Sequence, residues 1–346
     1  MSDAPHRRFA ADARSLLGLR KALLAVSGGP DSIALMHLAA HWAQTAPGAP
    51  VLAVATVDHA LRPESGAEAA KVADWAATLG LPHTILLWQG EKPSQRIQEA
   101  ARDARYALLV DHARAIEADA LVIAHHADDQ AETVLFRLTR GSGIAGLAGM
   151  ARVSQRRGLP LHRPLLDWRK AELLAFCAGE GLAFLEDPSN ADPKFARARL
   201  RRLGVHLEQE GLDADALNRL AGRAARADAA LASLTEKAEE RLDPNFDGAS
   251  CRLAAKALMT EPEEIALRLL GGLIRRVGRE ARLRFDRLES LGARLREAVV
   301  RDEVFVATLG GVLLRLDSAG QLTLSPAPAR RGGGKSPGLD ADNGKS

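Results

Sequence analysis

Cysteine is nearly absent: Cys177 and Cys251 are the only two. Two thiols so far apart in sequence make neither a disulfide framework nor a paired metal knuckle, and such sparse use suits a reducing compartment. No apolar run stays free of charges and breakers long enough to cross a bilayer. The first residues, MSDAPHRRFAADARS, carry arginines but no apolar h-region, so no secretory signal is expected. Asp3 and Asp12 speak against a mitochondrial transit peptide. No strong excess of one charge exists either. Against 47 Lys and Arg stand 44 Asp and Glu, a net of +3 that only hints at a phosphate-bearing partner. Internal repeats are missing. The expectation is a soluble cytoplasmic protein that does not contact a membrane, with a homo-oligomer left open. What is present is ordinary for a globular chain: 346 residues, 47% of them apolar and 26% charged, enough to bury a core in about two domains.

From Lys21 onward two textures alternate. Short apolar runs at Lys21–Val26, Val51–Val57, Pro82–Trp88 and Ala120–His125 read as strands. Between them Ile33–Gln44, Ser65–Leu79, Ser94–Ala118 and Asp128–Arg140 carry helical spacing. Strands buried on both faces, alternating with amphipathic helices, predict an α/β fold: a parallel twisted sheet with helices on both faces. After Arg140 come a glycine-rich loop (GSGIAGLAGM), a further strand at His162–Leu166, a helix at Arg169–Glu180 and a turn at Glu186–Pro193. From Lys194 to about Arg301 the chain is rich in Ala, Leu and Arg, with breaks at Asp243–Gly248 and Glu261-Pro262. Val304–Ser325 reads as a small antiparallel sheet, turning at Gly310-Gly311 and at Asp317–Gly320. The expected organisation is a lead-in over 1–20, a catalytic domain over 21–202, a smaller, mainly helical domain over 203–325 ending in short strands, and a disordered tail over 326–346.

The strongest chemical signal is Ser27-Gly28-Gly29-Pro30-Asp31-Ser32, placed between a strand and a helix. Glycines admit a phosphate to the backbone, a helix N-terminus offers free N–H groups, and the two serines add hydroxyl donors. Asp31 would repel phosphate, a conflict that a bound Mg²⁺ resolves. The bland reading is a strand–turn–helix with Ser or Asp as N-cap. Asp58 and His59 end the second strand, where open α/β sheets place ligands, although they could simply cap the next turn. Asp129 and Glu132 have the spacing of a capping box. They also share one helix face, where two carboxylates could hold a cation: Mg²⁺ or a substrate ammonium. His125 and His126 suggest zinc at first sight, but lack a third ligand at zinc spacing. Pocket-lining or structural histidines fit better. Cys177 falls on an apolar helical stripe with Leu173 and Phe176 and reads as core.

Taken in order, SGGPDS, Val57–Arg62, Glu99–Arg102 with Arg105-Tyr106, Ala124–Thr133, Arg140–Gly143, Arg163–Leu166 and Asp187–Asn190 resemble a known set. SGGPDS is similar to the signature of the N-type ATP pyrophosphatases (the PP-loop superfamily), and the set as a whole resembles the tRNA(Ile)-lysidine synthetase family over roughly residues 20–202. The resemblance implies ATP and Mg²⁺ as substrate and cofactor, with no zinc or iron–sulfur cluster. It implies ligation of L-lysine to the wobble cytidine of the CAU-anticodon isoleucine tRNA. In that scheme Ser27–Ser32, Asp58 and His59 bind ATP, and Asp31 serves the metal. Arg105 and Arg197 are catalytic cations, and Asp129 and Glu132 hold lysine. Lys194, Arg197, Arg199, Arg201 and Arg202, five cations in a run without an acid, contact RNA. One departure is Ala198, where the family often has Asn. Against the resemblance stand a tRNA thiolase, which commonly needs paired cysteines, a GMP-synthetase-like enzyme, which needs a glutaminase, and a non-catalytic binding module, which has no need of acids beside phosphates.

Overall fold

The computed structural model describes residues 3–90, 92–93, 97–185, 204, 206–278 and 283–328. The chain divides into two compact units after Arg226. The first begins with helix α1 (Ala4–Asp12), with Pro5 in its first turn. Then follow β1 (Lys21–Ala25), α2 (Pro30–Thr45), β2 (Val51–Asp58), α3 (Ser65–Thr78), β3 (His83–Leu87), α4 (Ile97–Ala115), β4 (Ala120–Ile123) and α5 (Ala127–Leu138). A single helical turn, α6 (Ile144–Leu147), a hairpin of β5 (Val153–Arg156) and β6 (Leu159–His162), and α7 (Lys170–Gly179) complete the regular part.

The sheet runs β3-β2-β1-β4-β6-β5, parallel except for the β5–β6 pair. β1, with the sequence KALLA, is buried on both faces, as an all-apolar central strand must be. Its residues alternate between two cores. Ala22 and Leu24 pack with α1, α2 and α7, while Leu23 packs with Tyr106, Leu109 and Ala113 of α4. Helices therefore cover both faces, as expected. β3 is an edge strand, so Ile85 and Leu87 remain exposed.

Several elements differ from the sequence expectation. The lead-in contains α1, whose Phe9 is fully buried and meets the Trp42 ring edge-on at 6.2 Å. The strand expected at His162–Leu166 lies earlier, at Leu159–His162, because it pairs with β5 while Pro164 starts a turn. Helix α5 begins at Ala127, so His126 and Asp129 form its capping box in place of Asp129 and Glu132.

The division at Arg226 falls inside a long helix, α8 (Ala214–Leu242). The second unit has helices at Ala255–Thr260, Glu263–Val277 and Phe285–Val300. Its antiparallel sheet has five strands. Three come from Phe305–Leu309, Val312–Leu316 and Gln321–Pro326; of the other two, Asn245–Asp247 lies in the break expected at Asp243–Gly248, and Ser250–Ala254 lies in the stretch expected to be helical. The sheet packs against the helices through Leu253, Leu314, Leu322 and Leu324. The expected turns at Gly310-Gly311 and Asp317–Gly320 are present. The expected boundary at 202/203 and nearly all of the tail lie outside the described residues.

Candidate active site

β1 hydrogen-bonds to β2 on one side and β4 on the other, all parallel, so the carboxyl ends of the three strands share one edge. The order reverses at β1, and the crevice between β1 and β4 is the place where such sheets hold ligands. The loop after β1 is Val26–Gly29 and the loop after β4 is Ala124–His126.

The first loop is held by its own residues. The Ser27 N–H donates to Ser32 Oγ at 3.1 Å, the Ser32 hydroxyl donates to the Gly29 carbonyl at 2.9 Å, and the two hydroxyl oxygens are 3.3 Å apart. Gly28 has φ +89°, and a Cβ there would lie 2.5 Å from Leu185 Cδ1. Leu185 in turn donates its N–H to the Gly28 carbonyl at 2.9 Å. Gly29 is the N-cap of α2 and no side chain caps that end. The positive end of the helix dipole therefore faces the crevice, ready for an anion. The expected Ser or Asp cap is not used.

Asp31, in the first turn of α2, meets the second loop through His126. The His126 Nε2 atom is 3.4 Å from Asp31 Oδ2 and 3.5 Å from Asp129 Oδ2, and Nδ1 is 3.6 Å from Asp128 Oδ2. The His126 N–H donates to Asp129 Oδ2 at 3.1 Å, and the Asp129 N–H donates to His126 Nδ1 at 3.4 Å. Burial works against a charge on this imidazole, but Asp31, Asp129 and Asp128 outweigh it and raise its pKa. Burial also raises the pKa of Asp129. His126 opposes that rise, while Glu132 and Asp31 add to it. Glu132 thus lies close enough to Asp129 for their charges to interact, as the i, i+3 spacing predicted. Asp31 Oδ1 is buried without a hydrogen-bond partner.

On the other flank, Asp58 ends β2 and accepts the Ala60 N–H at 2.8 Å, so it caps its own turn. His59 stands edge-on to Trp88, with ring centroids 5.8 Å apart. Burial lowers the pKa of His59, and the nearby charge of Arg105 lowers it further. His125 Nδ1 accepts from Arg163 Nε at 3.2 Å. Arg163 also donates to the Ala151 carbonyl and to Ser154 Oγ, tying the β5–β6 hairpin to the end of β4. Gln130 and Arg137 of α5 hold the glycine-rich loop through the Met150, Gly146 and Gly149 backbones.

The structure thus brings Ser27–Ser32, Asp129 and Glu132 together, with Asp58 and His59 on the β2 side and the charge of Arg105 near His59. Lys194, Arg197, Arg199, Arg201 and Arg202, and the Asp187–Asn190 turn, lie outside the described residues. Sequence reasoning missed the hub role of His126 and the strap formed by Arg163. The adjacent acids of His-His-Ala-Asp-Asp were a signal for the first. Arg163 gave none beyond its place in the family motif. Cys177 is core: it is fully buried, and burial next to Asp31 pushes its thiol up to about 11. Cys251 is buried likewise, and burial raises its pKa. Neither is a poised thiolate.

A PP-loop domain matches residues 4–207. A tRNA(Ile)-lysidine synthase of Rhodopseudomonas palustris is 49% identical over 345 residues, covering 96% of this chain and 99% of its own. The chain belongs to the tRNA(Ile)-lysidine synthase family. Another member of the family, from Methylobacterium nodulans, is 53% identical over 315 residues, covering 90% of this chain and 91% of its own. As a member this protein is an ATP-using ligase that modifies tRNA. Among solved structures a U34-tRNA thiolase of Methanococcus maripaludis with its [4Fe-4S] cluster superposes with a TM-score of 0.54 at 18% identity, over 64% of this chain and 77% of its own. That likeness is one of fold. Among the described residues no group of three or more His, Cys, Asp or Glu is arranged to hold a metal ion, and no helix is long and apolar enough to cross a membrane.

Proposed function

We propose that the protein joins L-lysine to the wobble cytidine of the CAU-anticodon isoleucine tRNA, through an adenylated cytidine and with release of AMP and pyrophosphate. The observation that carries the reading is the meeting, at one sheet edge, of an uncapped helix N-terminus with Asp31 and the Asp129–Glu132 face. The first supplies a seat for phosphate and the second a seat for a cation.

The cytidine 2-oxygen attacks the α-phosphorus of ATP and pyrophosphate leaves. The ε-amine of lysine then attacks C2, and the C2–O bond breaks with AMP as leaving group. The ammonium must lose protons along the way. Ser27, Ser32 and the N-terminal N–H groups of α2 bind the phosphates, Asp58 and His59 flank the nucleotide, and Arg105 and Arg197 stabilise the charge that builds on the α-phosphate. Lys194, Arg199, Arg201 and Arg202, with Arg197, hold the RNA backbone. Asp129 and Glu132 hold the cationic lysine, whose charge relieves their mutual repulsion.

Mg²⁺ binds through one or two carboxylates, phosphate oxygens and water, without a full protein cage. Asp31 fits that demand, since its Oδ1 atom is buried and has no protein donor to satisfy it. When bound, the ion neutralises phosphate charge beside Asp31.

The test separates the half-reactions. With ATP, Mg²⁺ and the CAU-anticodon tRNA, pyrophosphate forms without lysine. With lysine but no RNA, exchange of labelled pyrophosphate into ATP stays at background. Glu132→Gln weakens lysine use more than RNA adenylation. Lysine-dependent exchange in the absence of RNA would reverse the order of chemistry and overturn these roles.

A further inference from the structure

Four arginines gather beside the crevice, and the mechanism uses only one of them. Arg102 and Arg105 lie i and i+3 on α4, and Arg156 reaches across from β5. Their guanidinium carbons sit 5.4, 5.3 and 4.6 Å from the centroid of one ring, Tyr106, which is itself only 2% exposed. Three positive charges on one platform stand within about a Debye length of each other, ~10 Å at 0.1 M salt. The fourth, Arg163, is largely buried, and Arg102 is near enough to act on its charge.

A helix face of solvated arginines looks different. There each head turns away into water, and a nearby acid satisfies it. Here the stems converge on a buried ring. Asp103 pairs with Arg156 at 3.0 Å, but its side chain is 63% exposed and so is easily displaced. Arg156 Nε is buried and has no hydrogen-bond partner. Stacked guanidinium forks are preorganised donors for phosphate. The division of labour also chooses between phosphates. In the proposed reaction Arg105, on the same ring, serves the α-phosphate of ATP, so Arg102 and Arg156 are left for a phosphate of the other polyanion at the site, the RNA.

We propose that Arg102 and Arg156, carried on Tyr106, clamp a backbone phosphate of the substrate RNA next to the catalytic crevice. This rests on the reading that tRNA is the substrate. The clamp positions and carries no base information, so cognate and non-cognate tRNAs feel it alike.

The experiment uses the full chain, an unmodified CAU-anticodon isoleucine tRNA transcript, a second tRNA and a fluorescent ATP analogue. Arg102→Gln and Arg156→Gln each lower affinity for both RNAs about threefold to tenfold, and each reduces the slope of log affinity against log salt by ~0.7–0.9. ATP affinity and melting temperature stay at wild-type values. Arg156→Lys keeps the charge, retains the slope and checks that loss in the Gln variant is not misfolding. Reduced ATP affinity with unchanged RNA binding would make the cluster an ATP subsite and overturn the clamp. Unchanged binding of both ligands would return it to a solvated face. Lysidine formation by the wild-type chain is scored separately. A chain that binds RNA without making lysidine fails the reaction proposal alone, and variants that bind like wild type while the parent makes lysidine fail the clamp alone.

Discussion

Asp31 is a carboxylate that does little for the fold. One oxygen is buried without a donor, and the other shares His126 with two further acids. Its removal takes away one of three acids around His126 and, in the proposed reaction, the carboxylate that would hold Mg²⁺. Asp31→Asn is expected to cut pyrophosphate release by at least about 100-fold, with a melting temperature equal to or above that of the wild type. An active Asn variant would show that the cradle needs no charge there. Gly28 is the opposite kind of residue, demanded by the backbone. At φ +89°, and with Leu185 2.5 Å from the place of a Cβ, Gly28→Ala costs about 1–3 kcal/mol from strain alone and weakens ATP binding. Thermal melting and ATP titration read the two effects. Both residues were legible in the sequence, because the glycine-rich turn and its acid act within one short loop. Arg156 and Arg163 were not. What they touch lies on α4 and at the end of β4, 53 positions away for Arg156 and 38 for Arg163.

The elements divide along the same line. The central strands and the helices between them were readable because each carries its own periodicity over a long enough window. α1, β5 and the two short strands before Ala255 are only a few residues long or weakly patterned, so each offers too short a window for a periodicity to show. α1 shows the consequence. Phe9, Ala13 and Leu16 are buried in the same core as Trp42 and Leu35, so the lead-in is structural. Phe9→Ala should cost about 3–5 kcal/mol, and urea unfolding measures it. A loss below one kcal/mol would mean that α1 packs loosely. The same interface carries a pH dependence. His6 of α1 and His37 of α2 have pKa values lowered by burial; His41 lowers that of His6 further, while Glu180 faces both and Asp3 faces His6. In the unfolded chain these imidazoles titrate near 6.5. Below that pH the unfolded state binds more protons, so stability present above it is lost as the pH falls toward the folded values. The melting temperature should drop between about pH 7.5 and pH 5.5, and His6→Gln should flatten that drop. An identical pH profile in the variant would remove His6 from the account.

At the scale of the whole molecule the charges almost cancel, 47 against 44. A net of +3 spread over 346 residues cannot by itself draw a polyanion, so attraction for RNA has to be local. Positive charge gathers in two places: the Tyr106 platform, and the run from Lys194 to Arg202 with five cations and no acid. Counterion release counts phosphates neutralised, whichever part of the protein neutralises them. Slopes from separate clusters should therefore add, even though affinities measured at a single salt concentration need not. Reversing Arg199 and Arg201 to Glu should flatten the salt dependence of tRNA binding by an amount independent of Arg102 and Arg156, and a chain changed at both places should show the sum. If the combined variant is no flatter than either alone, the two clusters serve the same phosphates. If the 199–201 reversal leaves the slope as it was, that run is a solvated surface and the attraction for RNA comes from the platform beside the crevice.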